Sequence, residues 1–258
     1  MTATTAPTAP TIDPAKRDIP FRRQVKVELR KSVDTRAGLW LLIAIGAITV
    51  IVNIIFVVAA RARDRTFGNF LAASGTPQGF LLPVLGILLV TSEWSQRTAM
   101  VTFTLAPKRL NTVLAKIVAA VVLATVALIV AIAVGALMTV IGGGPHRWDV
   151  SAGRFGLFWL GQIIGVLQGV AFGLLILISA AAIVASFFIP IAFTILTSLS
   201  DSIRNVQPWI DLGTTSGYLF SDNSLSAEKW AQLGTSTAIW MVLPLLIGIW
   251  RVLRAEVK

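Results

Sequence analysis

The chain has 258 residues, 55% of them hydrophobic and only 13% charged, with a mean hydropathy of +0.81. So few charges cannot cover the surface of a water-soluble domain, so lipid is the solvent for most of this chain. There is no cysteine, which excludes disulfides, thiolate chemistry and cysteine metal sites.

Residues 1–18 are rich in Thr, Ala and Pro and lack the charged start and apolar core of a signal peptide, so they read as a disordered cytoplasmic tail. The character changes over residues 19–36. Phe21, Val25, Leu29 and Val33 recur every four residues, with Arg22, Arg23, Lys26, Arg30 and Lys31 between them. That pattern predicts an amphipathic helix lying in the headgroup layer with its basic face towards anionic lipid. The alternation from Val25 to Arg30 would also suit a strand, for which no sheet partner is visible. A solvated basic linker is the plainer alternative.

Residues 37–258 read as an all-α membrane domain with six spans, at about 38–60, 70–92, 112–141, 155–176, 179–200 and 232–251. The uncharged stretch from Phe155 to Ser200 is too long for one crossing and must turn back within itself. The second span is interrupted by Gly75, Pro77, Gly79, Pro83 and Gly86, and the fifth carries Pro190. Such breaks suit helices facing a bundle interior or a cavity, or mark a simple kink. In the fourth span Gly161, Gly165, Gly169 and Gly173 form a stripe for close helix packing, within the subunit or across a dimer. Neutral polar residues at depth include Asn53, Gln162 and Gln168, which are possible path-lining groups.

Six crossings put both ends on one side. With the amino terminus inside, the inner segments hold fifteen of the 22 Lys and Arg residues, while the acidic residues divide evenly. The positive-inside rule then places both termini in the cytoplasm, and the net charge of +10 is mostly this asymmetry rather than a nucleic-acid surface. Arg61, Arg63 and Arg65 in the first outer loop run against the rule. Trp40, Trp94, Trp159, Trp209, Trp230 and Trp250 fall near predicted boundaries, as membrane anchors do.

Between the second and third spans lies a polar island, Glu93 to Thr112. Glu93 and Arg97 are spaced to pair on a helix, while Trp94, Thr98, Val101 and Leu105 share one face; Pro107 ends it, and Lys108 and Arg109 return to the headgroups. An ordinary interfacial loop helix is the alternative. Elsewhere chemistry is sparse. No phosphate-binding loop occurs, His146 is the single histidine, and no metal-ligand spacing or paired nucleophile and base is present, so no catalytic residue is assigned. Lys116 is the one charge inside a predicted span, near its inner end, where its stem can snorkel. Without an intramembrane carboxylate, uphill transport would need energy from another subunit.

Glu-Trp-Ser-Gln-Arg-Thr at 93–98, then Thr-Phe-Thr-Leu-Ala-Pro-Lys-Arg at 102–109 and Lys116, resembles the cytoplasmic motif of type 2 ABC exporter permeases. Pro208-Trp209, Glu228 to Ala231 and Trp250 to Val252 are similar to small actinobacterial members, and the likeness covers roughly residues 20–258. It departs between spans four and five, where many members carry an arginine and this chain has Ile178-Ser179-Ala180. The resemblance implies a permease subunit in a bacterial cell membrane that dimerises with a second copy or a paralogue. It also implies two separate cytosolic ABC ATPases, which would hold the ATP and Mg; this chain would bind neither and would not itself be an enzyme. Glu93 to Ala106, with Thr102 and Ala106 carried over from the motif, would be the coupling helix. Phe21 to Arg36 would be the connecting helix, and residues 201–230 short extracellular helices. The expected activity is export of a hydrophobic or amphipathic small molecule such as a drug, lipid or peptide. A non-transporting scaffold or sensor subunit of an ATPase complex is the alternative.

Overall fold

The computed structural model describes residues 19–95, 108–144, 147–148, 150–199, 206–221 and 224–254. Among these, every regular element is helical. The helices are α1 (Phe21–Asp34), α2 (Arg36–Ala59), α3 (Phe67–Ser95), α4 (Arg109–Gly142) and α5 (Ala152–Ile176), then α6 (Ser179–Ser198), α7 (Gln207–Ile210), α8 (Leu212–Ser221), α9 (Ala227–Thr237) and α10 (Leu243–Arg254). A single π-helical turn, Ala238–Val242, joins α9 to α10 into one continuous rod. Six helices are long and apolar enough to cross a membrane: α2, α3, α4, α5, α6 and the α9–α10 rod. The chain therefore has the form of a multi-pass membrane protein. Each span runs longer than hydropathy alone marks it, except α6, which ends at Ser198.

The second span is not interrupted. α3 passes through Pro77 and Pro83 as one helix of 29 residues, and both prolines are buried. It is also the centre of the bundle: 61% of its apolar window is buried, with 56% for α5, against 17% for each of α2, α6 and the α9–α10 rod. Interior packing surrounds the backbone that two prolines leave short of donors, which is where such a helix is tolerated. Pro190 does not follow this pattern, because α6 lies at the periphery.

The glycines of α5 meet α3 within the same chain. A Cβ on Gly169 would stand 2.0 Å from the Pro83 carbonyl oxygen, and one on Gly86 of α3 would stand 2.3 Å from that of Val166. Gly173 lies against Ile87, whereas Gly161 meets the Phe220 ring from α8. The backbones of α3 and α5 are thus in contact, which only hydrogen side chains permit. Around them Leu82, Leu85, Leu89, Val113, Leu123, Val166, Val170 and Leu174 form the main core. A second core at the far end joins Leu157 and Ile164 of α5 to Leu212, Leu219 and Leu233. There the buried Asp211 caps α8, accepting from Gly213 N at 2.9 Å, Thr214 Oγ1 at 2.7 Å and Thr194 Oγ1 of α6 at 2.9 Å.

The chain reverses between α5 and α6 at Leu177, held in the left-handed region at φ 62°, and Ile178. Such a conformation costs a non-glycine residue about 1 kcal/mol or more. No arginine stands in this turn; the guanidinium comes from α10, where Arg251 donates to the Leu175 carbonyl. Trp159 reaches across at mid-length to donate to Thr125 Oγ1 at 3.0 Å, so protein rather than a headgroup satisfies its indole.

Candidate functional site

The site is assembled where α1 folds back onto the bundle. Thr35 is extended and breaks the helix, then caps α2 by accepting from Gly38 N at 3.2 Å. A Cβ on Gly38 would lie 2.2 Å from the Ser32 carbonyl oxygen, so only glycine lets α2 start this close beneath α1. The reversal turns one face of α1 inward, and that face is polar: Glu28 is 4% exposed and Ser32 6%. The stripe expected to be apolar is divided. Leu29 packs against the core, Val25 is half-buried, and Phe21 and Val33 are exposed.

Glu28 enters a cluster of four charges. Its Oε2 accepts from Lys116 Nζ at 2.7 Å and its Oε1 from Lys31 Nζ at 2.9 Å. Glu93, at the end of α3, accepts from Lys31 at 2.5 Å, and its Oε1 stands 3.2 Å from Lys116 Nζ. Lys116 also donates to the Leu89 carbonyl at 3.0 Å. Two carboxylates and two ammonium groups balance, and the four side chains bind α1, α3 and α4 to one another.

The snorkelling expected of Lys116 is therefore corrected. Its side chain is 5% exposed and points across to α3 and α1, because two carboxylates and a carbonyl replace the water that snorkelling would have reached. For Lys31, burial works against the charged form, but the Glu28 and Glu93 carboxylates outweigh it and hold the ammonium above the ordinary lysine value.

The predicted coupling residues divide at the same place. Glu93 is buried and Trp94 packs partly against the main core. Arg97, Thr98, Val101, Thr102, Leu105, Ala106 and Pro107 lie outside the described residues, as does any pairing of Glu93 with Arg97. Lys108 is exposed just before α4, and Arg109 donates to the Val252 carbonyl of α10 at 3.3 Å. Glu93 and Arg109, on the two flanks of the island, are thus both fastened to the bundle. Arg22, Lys26 and Arg30 of α1 are turned away from the cluster; Arg22 and Lys26 are exposed, and Arg30 pairs with Asp34 at 3.0 Å.

A second polar feature crosses the bundle at mid-depth. Asn53 of α2 donates to Ser74 Oγ of α3 at 2.8 Å. Gln78 of α3 donates to the Ala127 carbonyl of α4 at 3.0 Å and accepts from Gln162 of α5. All four side chains are buried, and within the subunit Asn53 and Gln162 each link two helices. Gln168 is half-buried. Two residues that matter here were not singled out from the sequence: Glu28, the one acid among five bases between Arg22 and Lys31, and Gln78, a lone amide beside Pro77. Each was signalled only by being the odd residue in its run. No protein-family model matches the chain, and no curated protein sequence matches it.

Proposed function

We propose that this chain is the membrane-spanning permease subunit of an ATP-driven exporter in a bacterial cell membrane. Two such subunits form the path, and two separate cytosolic ATPases drive it from the side that carries both termini. The island from Glu93 to Thr112 is the docking element, and α1 lies beside it as the connecting helix. The observation that carries this reading is the four-charge cluster: it fastens Glu93, at the root of the island, to α1 and α4. A docking segment rooted in a rigid ionic joint transmits a push into the bundle, whereas a loosely hinged one absorbs it. The neutral amide links at depth agree with an external motor, since they offer no carboxylate through which an ion gradient could act. The cargo best suited to apolar walls with a few amides is a hydrophobic or amphipathic small molecule.

The test is co-purification and vesicle transport with the ATPase encoded beside this chain. Glu93→Ala and Arg97→Glu are expected to abolish either association or cargo-linked ATP hydrolysis, with the bundle still folded. Folded variants that remain fully coupled would refute docking at the island. ATP hydrolysis in vesicles with no movement of any cargo would instead mark a scaffold.

A further inference from the structure

At the end of the bundle opposite α1, arginines gather that the proposed function leaves unused. Arg61, Arg63 and Arg65 follow α2, while Arg147 belongs to the connection between α4 and α5 and Arg154 to the first turn of α5. The two connections are joined by backbone hydrogen bonds, Phe67 N to Arg147 O at 2.7 Å and Gly144 N to Arg65 O at 3.1 Å. A Cβ on Gly144 would stand 1.7 Å from the Ala62 carbonyl oxygen, so glycine permits the contact. One rim thus brings together the segments that carry these arginines, with Asp64 among them. Arg61, Arg63 and Arg147 are exposed; Arg63 reaches Asp64 only at 3.7 Å.

Directly beneath the rim the wall is apolar and open. Val57 of α2 lies against Gly142 of α4, and beside that contact Val58, Val140 and Ile141 are 77%, 63% and 67% exposed. Trp148 sits at the rim, half exposed, with its ring 5.7 Å from that of Phe67. Guanidinium groups above, indole at the boundary and aliphatic side chains below match the layers of a phospholipid.

We propose that this rim binds an anionic phospholipid, its headgroup phosphate between Arg61, Arg63 and Arg147 and its acyl chains against Val58, Val140 and Ile141. Arginine suits the role because its fork matches phosphate oxygens in pairs. A free anion would make no use of the aliphatic wall. A second copy of this chain meeting rim to rim across a two-fold axis would oppose guanidinium to guanidinium. This site also accounts for the arginines that run against the positive-inside rule, and it does not depend on what the bundle moves.

The test is native mass spectrometry of the full chain in a neutral detergent, titrated with phosphatidylglycerol or with phosphatidylcholine of the same acyl chains. The Arg22→Gln/Arg23→Gln/Lys26→Gln variant is run in parallel to remove lipid held by the basic face of α1. At least about tenfold preference for phosphatidylglycerol is expected, from roughly 1 kcal/mol per basic group near an anionic surface. Arg61→Gln/Arg63→Gln/Arg147→Gln should abolish the preference, the corresponding triple lysine variant should retain the part due to charge alone, and glycerol phosphate should not displace the lipid. If the triple glutamine variant fails to fold, Arg147→Gln alone should weaken binding about fivefold. Equal binding of the two lipids, unchanged binding by the glutamine variants, displacement by glycerol phosphate or a lipid-free dimer would each overturn the proposal.

Discussion

Replacing Lys116 by Met tests the ionic joint most directly. Methionine is close in length and shape, so packing changes little, but the cation shared by Glu28 and Glu93 disappears. The two carboxylate oxygens that Lys116 Nζ meets at 2.7 and 3.2 Å stand within about 6 Å of each other. At an effective dielectric constant of about 20, like charges at that separation repel by about 3 kcal/mol. Lys31 remains, but its side chain is 40% exposed and offsets only part of this. Removing one partner of a buried ion pair costs about 3–5 kcal/mol in other proteins, so about 3 kcal/mol of destabilisation is expected. Denaturant titration in mixed micelles, followed by intrinsic tryptophan fluorescence, measures it. The double variant Lys116→Met/Glu28→Gln should recover most of the loss, because Glu93 and Lys31 then balance each other. A loss below about 0.5 kcal/mol for Lys116→Met, or simple additivity in the double variant, would refute the reasoning.

The α5 glycines give a contrast within one stripe: Gly169→Ala, whose Cβ would meet a backbone oxygen at 2.0 Å, should destabilise by about 1–3 kcal/mol. Gly165→Ala, with nothing nearer than Pro83 Cγ at 3.9 Å, should be neutral or stabilising by up to about 1 kcal/mol. Thermal unfolding in detergent separates the two. Gln78→Leu leaves the Ala127 carbonyl and the Gln162 amide without their partner and should cost about 1–2 kcal/mol in the same assay. Because the folded-state value of Lys31 is raised, its contribution to stability is fully present below the ordinary lysine value of about 10.4 and is lost as pH rises beyond it. A pH series of unfolding midpoints should show that alkaline decline reduced in Lys31→Arg, whose guanidinium stays charged throughout.

Much of the architecture was legible in local pattern. A run of apolar residues long enough to span lipid reports a helix wherever it folds, because backbone groups in hydrocarbon have no other partner. The reversal inside residues 155–200 followed from length alone, and the structure puts it at Leu177 and Ile178. The island was visible as a change of polarity, but only its flanks fall among the described residues.

Depth and partnership were not legible in the same way. Lys116 looked like a snorkelling residue because its sequence neighbours are apolar, and nothing near it in the chain carries an opposite charge. Its partners come from 88 residues away on α1 and from the end of α3. Glu28 has no signal of its own within a basic helix, and it is the Thr35 break and the close approach at Gly38 that turn it inward. Sequence by itself determined which segments must leave water and where the charges fall along the chain, since transfer to lipid is a property of each segment. Only the tertiary structure decided which spans form the centre and which charges neutralise one another, since pairing depends on the packing of helices distant in sequence.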